Sequence, residues 1–183
     1  MKKINILFIS LILFSISIAV GQNRIVPYDN DSKKFIYTDI VTTGKAKKED
    51  YNNAKNWILT KYSNTVDEVE NERILSKGSF EIILNYKAGI IPVIEKHTIN
   101  FNILLEFREG RYRYSLYDII ISQNAEGTTG EMTLETYDEI GQSRRLSRKF
   151  NVRMQTRLHE EFNLLIKEMI SKINGENDKK DDW

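Results

Sequence analysis

Residues Val93–Gln123 read VIEKHTINFNILLEFREGRYRYSLYDIIISQ and carry the clearest structural pattern in the chain. From Thr98 to Phe107, apolar and polar side chains largely alternate, which is typical of a β-strand with one buried face. Glu109 and Gly110 follow as a two-residue turn, because glycine readily adopts the positive φ that tight hairpins require. Apolar residues then resume at every second position, so the segment predicts a β-hairpin.

The register of this hairpin follows from matching the apolar sides of its two strands. A two-residue turn pairs the following residues: Phe107 with Tyr112, Leu105 with Tyr114, and Ile103 with Leu116. Strict alternation beyond Leu116 would turn Asp118 inward and Ile119 and Ile121 outward. A β-bulge at Tyr117–Asp118 would return both isoleucines to the core, and we therefore expect a bulge there.

The first 21 residues have the organisation of a secretory signal peptide. Lys2 and Lys3 precede an apolar run over 4–20, and Ala19-Val20-Gly21 offers small residues for a cleavage site. We expect cleavage after Gly21, export to the periplasm or the medium, and no integral membrane span afterwards. The competing interpretation is an uncleaved anchor, since the apolar run is at the short end of a membrane span.

Composition narrows the class of protein further. The chain has no cysteine, so an exported form would depend on packing rather than disulfides. Lys and Arg total 27 and Asp and Glu total 26, and removal of Lys2 and Lys3 leaves a charge near −1. Because binding to a phosphate backbone requires a basic face, we expect no nucleic-acid partner.

Periodicity in the remaining chain predicts strands over 35–41 and 73–86 and helices over 48–62 and 152–173. Asn151 is a candidate N-cap for the last helix. Gly78 predicts a bulge or bend in its strand. Two polar stretches are expected to be loops: 87–92 and 124–150, the latter containing the basic cluster Arg144–Lys149.

These elements define the expected domain organisation. We expect a signal peptide over 1–21, an irregular leader over 22–33, one domain over 34–175 and a mobile charged tail over 176–183. The order of strand, helix, antiparallel strands and helix predicts an α+β domain of two layers. In that arrangement a curved antiparallel sheet has two helices packed on one face, and its other face is open to solvent.

Three motifs resemble a bacterial family of unknown function that has a TBP-like fold, the fold of the TATA-box-binding protein. The motifs are the helix Glu49–Ile58, the segment Arg73–Ser79, and the hairpin Phe107–Tyr114 continuing to Tyr117–Ile119. Met132–Glu135 is similar to a fourth family motif, without its usual proline. The resemblance implies a secreted or envelope protein with a curved antiparallel sheet, and it implies neither an activity nor DNA binding.

Residues that could support catalysis or metal binding are sparse. His97 is placed at an outward strand position and His159 on the exposed flank of the last helix, and neither has a second ligand at metal spacing. The chain has no G-x-S-x-G elbow, phosphate loop or dinucleotide fingerprint. We therefore expect no enzyme activity, no metal and no cofactor.

The open sheet face is the best candidate for binding, because arginine and tyrosine are favoured contact residues at interfaces. Arg111, Arg113 and Tyr117 share one strand face, and Asn100 and Asn102 lie beside them on the paired strand. These residues could simply form a polar, solvated outer face of the sheet. The more specific interpretation is that they form a partner-binding surface.

Two functional hypotheses follow, with a third of lower rank. The first is a non-enzymatic exported module that binds a protein or a cell-envelope component through the open sheet face. The second is a carrier of a small molecule or lipid, with a pocket between the sheet and the C-terminal helix. A hydrolase is the minor alternative. If the open face is not the binding site, the basic cluster Arg144–Lys149 is the next candidate.

Overall fold

The computed structural model describes residues 24–62, 66–125, 128–143 and 145–175. The expected signal peptide and the charged tail lie outside these residues. The described part forms eight strands and three helices: β1 (Tyr28–Asp29), β2 (Lys34–Phe35), β3 (Tyr37–Thr42), α1 (Lys47–Tyr62), β4 (Asp67–Val69), β5 (Arg73–Ala88), β6 (Ile91–Arg108), β7 (Arg111–Ala125), β8 (Thr128–Thr133), α2 (Leu134–Ser143) and α3 (Arg145–Ile173).

One antiparallel sheet dominates the structure, with strand order β3-β7-β6-β5-β4. Strand β8 also pairs with β7, along Ile120–Ala125, whereas β3 pairs with β7 along Arg111–Leu116. The two strands therefore occupy successive stretches of the same edge of β7. Strands β1 and β2 form a separate short ribbon, so the leader contains a strand where irregular structure was expected.

The organising hairpin has the predicted register. Phe107 pairs with Tyr112, Leu105 with Tyr114 and Ile103 with Leu116, and Gly110 has a φ of 72°. The predicted bulge is also present. Asn102 pairs with Tyr117 and Asn100 with Ile120, so one residue of β6 faces two of β7. Asp118 takes up the distortion with a φ of 51°, which returns Ile119 and Ile121 to the core.

The core lies between one face of the sheet and the helices. Helix α1 contacts β5, β6 and β7, α2 contacts β7 and β8, and α3 contacts β5. At the centre, the ring of Phe162 from α3 meets the rings of Phe80, Phe101 and Tyr37 at centroid distances of 4.7–5.1 Å. These rings fill the space between the sheet and the long helix. The α+β, two-layer prediction is confirmed, but it counted two helices where the described residues contain three.

The prediction of a loop over 124–150 is wrong for most of its described residues. Strand β8 and helix α2 occupy part of it, and α3 begins at Arg145, so Arg148 and Lys149 of the basic cluster are helical. Asn151 is a buried residue inside α3 rather than an N-cap. Its Nδ2 donates to Asp138 Oδ1 at 2.8 Å, and this buried contact joins α2 to α3. The sequence alone does not distinguish an asparagine that joins two helices in this way from one that caps the N-terminus of a helix.

Two glycine-based predictions also need correction. At Gly78 the pairing of β5 with β6 continues without a shift, and a Cβ there would lie 2.5 Å from Phe101 Cζ. Glycine is therefore required because the Phe101 ring covers it. The segment 87–92 is not a loop, because Ala88 pairs with Ile91 and Gly89, with a φ of 67°, turns the chain. Strands β5 and β6 thus continue past the rest of the sheet as a two-stranded arm.

Candidate functional site

The open sheet face contains a concavity of about 840 Å³ beside the β-bulge of β7. Its floor is formed by β5, β6 and β7. Its two walls adjoin each other beside β7: one is the segment 32–34, which runs into β2, and the other is β8 with the start of α2. The lining residues are Ser32, Lys33, Lys34, Lys77, Gly78, Asn100, Phe101, Asn102, Asp118, Ile120, Glu131, Thr133 and Glu135. A volume of this size falls within the ordinary range for small-ligand sites.

Asp118 links the floor of the concavity to one wall. Its Oδ2 accepts a hydrogen bond from Asn102 Nδ2 at 3.1 Å, and its Oδ1 accepts one from Lys34 Nζ at 2.6 Å. The hydrogen bond and charge of Asp118 raise the pKa of the Lys34 ammonium. The backbone of Asp118 is left-handed, a conformation that aspartate tolerates better than most residues because its short side chain bonds locally.

A second polar chain of hydrogen bonds crosses the floor to the wall formed by β8. Asn100 Nδ2 donates to Ser122 Oγ at 3.2 Å, and Ser122 Oγ donates to Glu131 Oε1 at 3.0 Å. Both asparagines are half-buried, so each keeps part of its amide accessible at the surface of the sheet. The two amides therefore present hydrogen-bonding groups in positions fixed by their neighbours.

The charges around the concavity are mixed. Three lysines contribute ammonium groups: Lys33, Lys34 and Lys77. Three acids contribute carboxylates: Asp118, Glu131 and Glu135. Glu135 Oε1 is engaged by the backbone N–H of Phe35 at 2.9 Å. Such a surface suits a polar ligand that carries both donors and acceptors, and it differs from the uniformly basic surface that a polyanion requires.

The structure separates the five predicted site residues. Asn100 and Asn102 line the concavity. Tyr117 is half-buried and pairs in register with Asn102, without lining the concavity. Arg111 and Arg113 lie about 16 Å or more along β7 from Asp118, at roughly 3.3 Å per residue. Both arginines belong to a small depression at the hairpin end.

Arg113 at that end forms an ion pair with Glu106 on the neighbouring strand. Its Nε and Nη2 donate to Glu106 Oε2 at 2.8 and 2.5 Å. The pair is exposed, and exposed ion pairs contribute about 0–1 kcal/mol to stability. The hairpin end therefore carries a surface ion pair, and it is separate from the polar concavity.

Sequence reasoning missed the two walls of the concavity. Lys33, with a φ of 56°, ends the turn after β1, and Lys34 begins β2. Glu131 and Thr133 come from β8, which lay in a stretch interpreted as loop. The one available signal was the predicted bulge at Asp118, because bulges often occur beside functional sites.

The two histidines do not occupy the predicted positions. His97 is buried on the helix-covered face, because it is in phase with Ile99 and Phe101 on β6. Its Nε2 lies 3.4 Å from Glu95 Oε2, and neither ring nitrogen has a hydrogen-bond partner among the described residues. His159 is half-buried, with Nδ1 3.0 Å from the Tyr37 hydroxyl. No group of three His, Cys, Asp or Glu residues in the described ranges is arranged to hold a metal ion.

A second depression lies between the end of β5 and the first turns of α3, with a volume of about 810 Å³. It is lined by Ile83, Leu84, Asn85, Arg148, Lys149, Val152, Arg153, Thr156, Arg157 and Glu160. Its helix side is strongly basic. None of the described helices combines the length and apolarity that a membrane crossing needs.

A curved antiparallel sheet with helices on one face and a concave open face on the other defines an α+β protein with a TBP-like fold. The chain is similar to the crystal structure of a TBP-like protein from Parabacteroides distasonis, with a TM-score of 0.65 and 18% identity over 81% of this chain and 97% of that one. It is also similar to a DUF4468 family protein from Bacteroides ovatus, with a TM-score of 0.63 and 14% identity over 88% and 95% of the two chains.

These two structures confirm, at the level of the fold, the resemblance to a bacterial TBP-like family of unknown function. No family model matches the sequence, and no curated protein does. At identities of 18% and 14%, the two neighbours establish the fold alone.

Proposed function

We propose that the protein is a non-catalytic, exported envelope module that binds a protein or a cell-envelope component through the open sheet face. The binding site is the concavity around Asp118. The observation that supports this most directly is the bulge itself. It lies at the point where half-buried amides, ammonium groups and carboxylates from five segments of the chain meet.

The polar residues of this site are not explained by the needs of the core. Ile119 and Ile121 return to the buried face after the bulge, whereas Asn100 and Asn102 point away from that face. Solvent alone would satisfy their amides, so stability gives little reason to connect them to Asp118, Ser122 and the walls. A recognition surface benefits from such connections, because they hold donors and acceptors in fixed positions before binding.

The expected ligand is a polar group with both donors and acceptors, such as an exposed peptide segment or a polar envelope component. Lys34 and Lys33 on one wall suit an acceptor group, and Glu131 on the other suits a donor. Because both walls adjoin β7, this arrangement favours a ligand that lies over the floor beside Asp118 and contacts both walls at once.

The test compares two double variants in a pull-down from envelope extract, each with a thermal melt. Asn100→Ala with Asn102→Ala should weaken capture of the partner several-fold and leave the fold intact. Arg111→Ala with Arg113→Ala is the matched control at the hairpin end, and it should change neither capture nor melting temperature appreciably. Loss of capture with the arginine variant alone would move the binding site to the hairpin end.

The carrier alternative depends on the second depression. It lies between the sheet and the C-terminal helix, where the sequence placed a carrier pocket, although only at the edge of that interface. The aromatic cluster around Phe162 fills the centre of the interface. A hydrolase has least support, since His97 neighbours Glu95 and His159 neighbours Tyr37, and neither pairing supplies an activated nucleophile.

A further inference from the structure

The arm formed by β5 and β6 extends beyond the rest of the sheet. From Ile91 to Lys96, β6 pairs only with β5 among the described strands, because its pairing with β7 begins at His97. Close to its end, the arm packs against α3: Tyr86, two pairs behind the last pair of the arm, has its ring 4.7 Å from that of Phe150, and the guanidinium of Arg153 lies 5.6 Å from the Tyr86 centroid. The arm is thus held in a defined direction.

The end of the arm exposes large apolar side chains. Ile90 in the turn is 95% exposed, Ile91 63%, and Ile94 70%. Ile83, diagonal to Ile94 on the same face, is also exposed. Isolated exposed isoleucines are ordinary, but Ile90 and Ile91 are adjacent at the end of the arm, and Ile94 and Ile83 continue the exposed apolar surface along its open face.

Cations lie along the arm behind this apolar tip. Lys87 and Lys96 lie on one face of the arm, and both are exposed. Arg148 and Lys149 lie beside its base, in the depression that also contains Ile83. No ion pair joins any of these four residues to a carboxylate in the part of the chain that the structure describes. The nearby Glu95 is engaged by the Tyr86 hydroxyl instead.

We propose that the tip of this arm docks onto a lipid bilayer that contains anionic phospholipid. Ile90 and Ile91 enter the boundary between headgroups and acyl chains, and the cations along the arm behind them meet lipid phosphates. An apolar tip with a basic collar is the combination that interfacial membrane binding requires, because apolar burial and attraction to anionic lipid add. Lys87 is well placed for this, since it pairs with Pro92 one step behind the tip pair of Ala88 and Ile91.

The same charges argue against a second copy of the chain as the occupant. Two tips packed against each other would bring their collars of lysine and arginine together, and like charges in contact oppose association. An anionic lipid surface removes that repulsion. This inference concerns a surface separate from the Asp118 concavity and stands independently of the ligand proposed there.

Vesicle flotation tests the proposal directly. The protein is recovered from expressing cells, its N-terminus is established by mass spectrometry, and all variants share that N-terminus. Vesicles of phosphatidylcholine alone are compared with vesicles in which part of it is replaced by phosphatidylglycerol. The wild type should float with the anionic vesicles, and Ile90→Asp with Ile91→Asp should lower the bound fraction about tenfold. The control Ile40→Asp with Leu164→Asp changes two exposed apolar residues elsewhere and should leave it unchanged.

Two further comparisons keep the inference falsifiable. Lys87→Gln with Lys96→Gln should weaken binding more than the equal charge loss in Lys48→Gln with Lys167→Gln. Equal binding by the tip variant and the wild type would overturn the proposal, and would assign any membrane affinity to another segment. A concentration-dependent dimer that the tip variant abolishes, without vesicle binding by the wild type, would also overturn it and make the tip a self-association surface.

Discussion

Asn102 donates a hydrogen bond from Nδ2 to Asp118 Oδ2 at 3.1 Å, although Asn102 pairs with Tyr117. In a regular strand, the next residue, Asp118, would point to the other face of the sheet. The contact exists because the extra residue in β7 turns the Asp118 side chain to the open face. The same distortion returns Ile119 to the core. One backbone irregularity therefore completes the core and builds the floor of the candidate site.

The left-handed backbone at Asp118 predicts that the loss of stability on substitution depends on which residue replaces the aspartate. Asp118→Val should lower the free energy of unfolding by about 1–3 kcal/mol, because a β-branched residue is strained at positive φ. Asp118→Asn is the matched control. Asparagine tolerates this conformation, so the loss of the exposed Lys34 pair should cost only about 0–1 kcal/mol. Urea denaturation measures both, and equal losses would show that the backbone conformation is not what selects Asp118.

The contact between Gly78 and Phe101 predicts that alanine destabilises the protein at position 78 more than at a glycine with open space around it. A Cβ at position 78 would lie 2.5 Å from the Phe101 ring, so Gly78→Ala should destabilise the protein by about 1–3 kcal/mol. Gly130→Ala is the control, because nothing lies within 4 Å of the added Cβ there. In a Phe101→Leu background, Gly78→Ala should cost clearly less. An unchanged cost in that background would mean that crowding by the ring is not the cause.

Asp138 predicts a specific pH dependence of stability. Its buried Oδ1 accepts from Asn151 and Gln155, and its Oδ2 accepts from Gln142 and Arg24. Burial opposes the charged form, but these hydrogen bonds outweigh it and lower the pKa of Asp138. Its contribution to stability is therefore complete above the unfolded pKa of about 4 and is lost as the pH falls below that value.

Asp138→Asn should accordingly be less stable than the wild type at neutral pH, and the gap should narrow as the pH is lowered. Asp138→Ala should lose about 3 kcal/mol or more, the scale of breaking a buried ion pair from one side. Chemical denaturation at several pH values measures both. A gap that widens in acid would show that Asp138 is not stabilised as a carboxylate.

The N-terminal segment predicts the form in which the protein occurs. Mass spectrometry of protein from the cell envelope or the medium should find an N-terminus at Gln22, either free or cyclised. The reason is the small-residue site at Ala19–Gly21 after the apolar run. An intact Met1 in the envelope fraction would instead support the uncleaved anchor.

The parts of the fold that sequence predicted well are those in which one local pattern determines the result. Alternation over Ile99–Phe107 defined the hairpin register, and the phase error beyond Leu116 located the bulge. The parts that failed depend on distant contacts. Asn151 and Gln155 are buried because Asp138 of α2 accepts their hydrogen bonds, and neither residue carries that information in its own neighbourhood.

The candidate site was predicted only in part for the same reason. Asn100 and Asn102 were found because strand alternation places them on the open face. Lys34 and Glu131 were not found, because Lys34 begins the short strand β2 and Glu131 lies in β8, within a stretch whose composition predicted a loop. The tip of the arm was missed because Gly89 and Pro92 usually break strands, whereas here they form the turn and the first pairs of a hairpin.

Site-specific photocrosslinking in cells that naturally produce the protein tests the central proposal most directly. A photoreactive residue is placed at Lys77 in the concavity, at Arg111 at the hairpin end, or at Leu164 on the exposed side of α3. The proposed binding site predicts that Lys77 gives a specific adduct and that the other two positions give little or none. Adducts from Arg111 or Leu164, with none from Lys77, would contradict it.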